Sequence, residues 1–151
     1  PRVRRQRQMC IRDSLYSHPL FLRMVNEHGF ESCDKDIFPQ FLQKPGLSMV
    51  VFIEDPNRMK ETMDALVIAP ELAKSCGLIE HKAVVGPPNA RKLAVTYGFK
   101  RWPALVFFRD GKYLGAVDGL RLWADLVREA DEIMHSEPHY PPSVGIPVRS
   151  I

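Results

Sequence analysis

A helix ending, a Trp-Pro peptide, an apolar run and an Asp-Gly turn follow one another between Tyr97 and Gly111, and few folds accommodate that order. Gly98 can end a helix, because glycine takes the left-handed cap conformation without a steric penalty. Pro103 has no amide to donate, so it is tolerated at the first position of a strand, and the run through Phe108 continues as that strand. Asp110-Gly111 is a strong hairpin signal, which predicts that Lys112 to Val117 pairs back antiparallel against Leu105 to Phe108. Asp118-Gly119 ends the second strand, and Leu120 to Met134 has the apolar spacing of an amphipathic helix. The predicted order is helix, strand, turn, strand, helix.

Upstream, the apolar positions of His18 to His28 fall on one face of a short helix that Gly29 stops. Phe30 to Cys33 is a candidate strand, and Asp34 a candidate N-cap for a helix through Leu42. Leu47 to Ile53 is a nearly unbroken apolar run of the kind found in a central strand covered on both faces, which predicts an α/β sheet with helices on each side. Glu54 to Lys60 reads as a loop. A helix is expected from Thr62 to Cys76 with Pro70 kinking it, then a strand from His81 to Gly86 and a helix opened by Pro87-Pro88-Asn89. Residues 136–151 are rich in proline and lack periodicity, so they read as a tail or an extended strap.

Pro1 to Ser14 contains five Arg and a single acid, Asp13, without apolar periodicity. Met9-Cys10-Ile11-Arg12-Asp13-Ser14 resembles a translated sequencing-adapter end, and residues 1–14 are read as that artefact or as a disordered leader, outside the fold. The chain carries 21 Lys and Arg against 18 Asp and Glu; without the leader the balance is 16 against 17, a net charge of −1. No basic cluster survives in residues 15–151, so nucleic acid is not expected as a partner. No apolar run approaches the roughly 20 residues of a membrane span, so membrane insertion is not expected and the cytoplasm is the expected location. Residues 15–135 are long enough for one domain with a sizeable core.

Pro103, Gly111 and Gly119, with an apolar run between the first two, resemble the second half of a thioredoxin fold, in which a cis-proline precedes the hairpin and last helix. Val67-Ile68-Ala69-Pro70-Glu71-Leu72 resembles the proline-containing helix that comes after the thioredoxin active site. The expectation is a thioredoxin-like α/β/α domain with strands at Leu47 to Ile53, His81 to Gly86, Pro103 to Phe108 and Lys112 to Val117, and Phe30 to Cys33 as a candidate fifth. The hairpin is expected to be antiparallel and the other core pairings parallel.

Thioredoxin chemistry needs two cysteines at CxxC spacing, the first at a helix N-terminus where the dipole favours the thiolate. Counting back from Ile68-Ala69-Pro70 puts Thr62-Met63-Asp64-Ala65 at that place, and none of these can attack a disulfide. Cys33 and Cys76 are isolated and read as small buried hydrophobes. His18, His28, His81, His135 and His139 lack the spacing of a metal helix and read as solvated or capping residues. No catalytic residue, cofactor or metal site is expected, and the chain is not expected to be an enzyme. The competing class is a single-cysteine thiol/disulfide or peroxide reductase on the same fold.

Glu54, Asp55, Glu61 and Asp64 group before and at the start of the helix containing Pro70. They complement a helix dipole, and they equally form an acidic lip able to pair with arginines of a partner peptide. Arg101, Trp102 and Pro103 form the second part of a candidate peptide-binding surface, in which Trp102 is the expected anchor and the backbone before Pro103 can take an added strand.

Pro19-Leu20, Ala69-Pro70-Glu71-Leu72, Gly98-Phe99-Lys100-Arg101-Trp102-Pro103-Ala104-Leu105-Val106-Phe107, Arg109-Asp110-Gly111-Lys112-Tyr113-Leu114-Gly115 and Pro141-Pro142-Ser143-Val144-Gly145-Ile146-Pro147-Val148 together resemble the HupG/HyaE family of hydrogenase expression and formation proteins. The resemblance implies a thioredoxin fold without the redox cysteines and a chaperone role in NiFe hydrogenase maturation. It also implies partners: the small-subunit precursor, through its twin-arginine signal peptide, and other hydrogenase maturation proteins. A structural subunit of a hydrogenase-assembly complex is the alternative within the same setting. The family has no catalytic motif to carry over.

Overall fold

The structure, a computed structural model, describes residues 15–141. Its elements are α1 (Pro19–Asn26), β1 (Glu31–Ser32), α2 (Phe38–Phe41), β2 (Leu47–Phe52), α3 (Glu61–Cys76), β3 (His81–Val85), α4 (Asn89–Tyr97), β4 (Ala104–Arg109), β5 (Lys112–Asp118) and α5 (Trp123–Met134). The expected leader, residues 1–14, and the end of the tail, residues 142–151, lie outside the described residues.

The hairpin forms where the Asp-Gly signal put it. Asp110 and Gly111 both have positive φ, 53° and 80°, as a two-residue turn matching the twist of its strands requires. β4 and β5 pair antiparallel from Ala104↔Asp118 to Arg109↔Lys112, with a register shift between Phe107 and Phe108. The candidate fifth strand is present as the short β1. The helix expected from Asp34 to Leu42 is only the four-residue α2: the Asp34 carboxylate accepts from the amides of Asp36 and Ile37, each at 2.8 Å, so it caps a turn, and Pro39 stands at the start of the short helix beyond it.

Five strands form one sheet in the order β1-β3-β2-β4-β5. β1 with β3 and β3 with β2 are parallel, but β2 with β4 is antiparallel, which corrects the expectation of parallel core pairing. Phe52 is in register with both Val85 and Ala104, so β3 ends and β4 begins at the same end of the sheet. α4 and the loop after it bring the chain over without travelling back along the strands, and β4 has to run the other way.

Alternation along the central strands divides the core. Met49, Val51, Leu105 and Phe107 face Leu66, Leu72 and their neighbours on α3, with α1 and α5 completing that layer. Val50, Phe52, Val106 and Phe108 face Phe38, Phe41 and Tyr97 on the other side. Every residue of β2 is buried, as a strand covered on both faces must be. α3 runs from Glu61 to Cys76 as one helix with Pro70 inside it. Beyond α5 the chain forms a strap along the edge strand β5. The Arg109 guanidinium donates to the carbonyls of Met134 and, at 3.0 Å, Ser136, and the His139 amide donates to the Tyr113 carbonyl at 3.0 Å.

Candidate functional site

The end of the sheet where Phe52, Val85 and Ala104 align collects three connections: Glu54 to Lys60 into α3, Gly86 to Pro88 into α4, and Gly98 to Pro103 into β4. The Trp102-Pro103 peptide is cis, as the thioredoxin spacing implied. Pro103 is buried and lines a small apolar cleft with Ala65, Ile68, Ala69, Gly119 and Leu120. The proline therefore stands against the N-terminal half of α3, the arrangement on which a thioredoxin-like fold depends.

At the position where a redox cysteine would open α3 stands Thr62. It is fully buried, and its hydroxyl donates to the Glu54 carbonyl at 2.8 Å. Ala65, one turn on, is 3% exposed. Neither supplies a thiolate to attack a disulfide. The two described cysteines lie elsewhere. Cys33 is buried after β1, and burial, reinforced by Glu31, pushes its thiol up to about 12. Cys76 closes α3 at the far end, and burial followed by Asp131 raises its thiol as well. Both shifts run opposite to the lowered pKa that activates a cysteine.

The predicted acidic group is divided by the fold. Glu54 is 6% exposed, its carboxylate accepting from the Asp55 amide at 3.0 Å and pairing with Arg91 of α4, so it is no part of an open lip. Asp55, half-buried, turns its carboxylate to the Asn57 amide at 3.0 Å. Glu61 and Asp64 are exposed in the first turn of α3 and form no ion pair among the described residues. At i, i+3 and i+7 they share a helical stripe with Ile68, which lines the Pro103 cleft.

Trp102 is not the free anchor that its place beside Pro103 led us to expect. It is half-buried and packs edge-on against Phe99, with ring centres 5.1 Å apart, at the margin of the second core layer. The amides of Lys100 and Arg101 both donate to the Asp118 carboxylate, and the Pro103 carbonyl accepts from Gly119 at 2.8 Å, so these backbone groups are already committed. Arg101 is exposed, and its guanidinium forms no ion pair among the described residues.

The exposed tryptophan is instead Trp123. Leu120, Leu122 and Trp123 are 39%, 77% and 47% exposed; the two leucines lie in the connection between β5 and α5, where Leu120 lines the cleft, and Trp123 is the first residue of α5. The sequence carried a signal for this. Leu122 occupies the N-cap of α5 with extended backbone, φ −62° and ψ 149°, and makes no side-chain cap. A helix start that lacks Ser, Thr, Asp or Asn there forgoes about 1 kcal/mol.

These features define a thioredoxin-fold protein that keeps the cleft at its cis-proline and has no thiol at the start of α3. The J-Trx1 fragment of ERdj5, a solved structure, superposes with a TM-score of 0.60 at 20% identity over 82% of this chain and 60% of that one, a likeness of fold alone. The model of the hydrogenase-1 expression protein HyaE family matches residues 20–126, and the chain belongs to that family. The hydrogenase expression/formation protein HoxO of Cupriavidus necator is 33% identical over 137 residues, covering 87% of this chain and 83% of its own length. HoxO of Azotobacter vinelandii is 30% identical over 85% of this chain and 86% of its own, and HupG of Rhodobacter capsulatus 31% identical over 78% and 86%. No helix of the described residues is long and apolar enough to cross a membrane.

Proposed function

We propose that this chain is a non-catalytic chaperone of NiFe hydrogenase maturation that holds the twin-arginine signal peptide of the small-subunit precursor in the cytoplasm before export. One observation carries the reading: the cleft beside Pro103 is retained while the position of the attacking thiol is filled by a buried, hydrogen-bonded Thr62. Such a surface can hold a peptide and cannot exchange a disulfide with it. The relatives' designation as expression/formation proteins supports an accessory role in the same process.

A twin-arginine peptide presents two adjacent guanidinium groups and then an apolar stretch. Glu61 and Asp64, exposed and without ion pairs among the described residues, are the carboxylates available to the arginines, with Asp55 beside them. Glu54 contributes by shaping the segment before α3, because Arg91 occupies its carboxylate. Pro103 and the apolar cleft receive the apolar residues of the peptide. The exposed Arg101 side chain lies against Gly119 of the cleft and disfavours cationic residues there, with Trp102 next to it in the chain.

Titration of the full chain with the signal peptide tests the reading. Glu61→Lys with Asp64→Lys should weaken binding about tenfold or more at low salt and less at high salt, because exposed charges are screened over about 10 Å at 0.1 M. An insulin-reduction assay is expected to show no turnover. Turnover that Cys33→Ser or Cys76→Ser abolishes would assign a reductase instead.

A further inference from the structure

The connection from β5 to α5 inverts the usual distribution of charge and apolar surface. Its one cation, Arg121, is turned inward: the guanidinium donates to the Asp118 carbonyl at 2.6 Å and to the Glu129 carboxylate at 3.1 Å, leaving 24% of the side chain exposed. Its apolar neighbours are turned outward, Leu122 at 77% and Trp123 at 47%. An arginine can keep its head in water at little cost, whereas a leucine and a tryptophan side by side in solvent gain nothing for the free chain. The loop is also firmly placed, since the Gly119 amide donates to the Pro103 carbonyl and ties the ledge to the cleft.

We propose that Leu120, Leu122 and Trp123 form the docking ledge for the apolar stretch of a client peptide whose paired arginines lie at Glu61 and Asp64. The proposal rests on the reading given under Proposed function and specifies its apolar subsite. Two observations choose this occupant over a general hydrophobic partner. The first is charge: Glu61 and Asp64 share a helical stripe with Ile68, and Ile68 meets Leu120 across the cleft, so an anionic end and an apolar end belong to one continuous surface. The second is length. Glu61 to Ile68 spans about 10 Å along α3, which roughly three residues of extended chain cover, so a short peptide held at the carboxylates reaches the cleft that Leu120 lines. Trp102, packed on Phe99, is not part of the ledge.

The test uses the full chain and two synthetic peptides. One carries two adjacent arginines followed by about 12 apolar residues, the length of a signal-peptide core; in the other the apolar half is replaced by Ser and Gly. Trp123→Ala should weaken binding of the first peptide about thirtyfold, as removal of an interface tryptophan commonly does, and leave the second unchanged. Leu122→Ser should weaken the first peptide too while raising the thermal midpoint, because it supplies the missing helix cap; a loss of binding with a gain of stability cannot come from misfolding. Unchanged affinity in both variants, with binding by the unmutated chain intact, overturns the ledge and leaves the chaperone reading standing. Failure of the unmutated chain to bind the first peptide overturns both. A dimer in sedimentation that Trp123→Ala converts to a monomer assigns the ledge to a second copy of this chain and likewise overturns the proposal.

Discussion

Arg91, in the first turn of α4, closes over the Glu54 carboxylate, which keeps only 8% of its side chain exposed while Arg91 keeps 54%. The pair bridges the segment after β2 and α4 across the end of the sheet that carries Pro103. Arg91→Ala strands a buried carboxylate and is expected to destabilise the fold by about 2 kcal/mol, more than an exposed pair would. Adding Glu54→Gln should recover part of that loss. Urea unfolding of the single and double variants measures the coupling, and strictly additive losses would show that the pair does not act as one.

The cysteines make a prediction in pH. Burial raises the Cys33 thiol from 9.0 to about 12 and the Tyr97 hydroxyl from 10.0 to about 12. A folded-state pKa above the unfolded one stabilises the native state fully below the unfolded value, and the contribution is lost as pH rises through the folded value. Stability should therefore fall from about pH 9 upward, and Cys33→Ala should lessen the part of the fall that begins first, to which the raised Cys76 thiol also contributes. In a Cys10→Ser background, iodoacetamide at mildly alkaline pH should modify half-buried Cys76 well before buried Cys33. Equal rates for the two would contradict this burial.

Gly111 serves the turn and the packing behind it. Its φ is +80°, and a Cβ there would lie 2.3 Å from the Leu42 carbonyl oxygen. Gly111→Ala should cost about 3 kcal/mol, combining backbone strain with an overlap that only backbone movement relieves. Gly77 is the control: φ is +63°, nothing lies within 4 Å, and its replacement by Ala should cost about 1 kcal/mol. Similar losses at the two sites would show that α2 yields to the added methyl.

Leu122→Ser places a hydroxyl at the N-cap of α5, where the backbone is already extended, and should stabilise the fold by about 1 kcal/mol. Leu122→Ala, which has the same exposure but no cap, should leave stability nearly unchanged. Equal effects of the two substitutions in urea unfolding would rule out a vacant cap.

Much of this architecture was legible from neighbouring residues alone. Asp110-Gly111 set the hairpin, the unbroken apolar run of β2 announced a strand covered on both faces, and Pro103 marked where β4 begins. The missing cysteine at Thr62 was equally plain, because it needs only a count along the chain from Pro70. The helix expected after Asp34 failed because an N-cap residue also caps a simple turn, and Pro39 favoured the shorter structure.

The candidate site was legible only as a place. Residue order was enough to say which residues turn, which alternate, and that no thiol stands at the start of α3, since each of these rests on covalent geometry or spacing within a few residues. Tertiary packing was needed to establish that β4 runs against β2, that Glu54 is withdrawn by Arg91 from 37 residues away, and that the outward tryptophan is Trp123 rather than Trp102. Exposure and charge pairing depend on which distant segments arrive at the same end of the sheet, and no local pattern records that meeting.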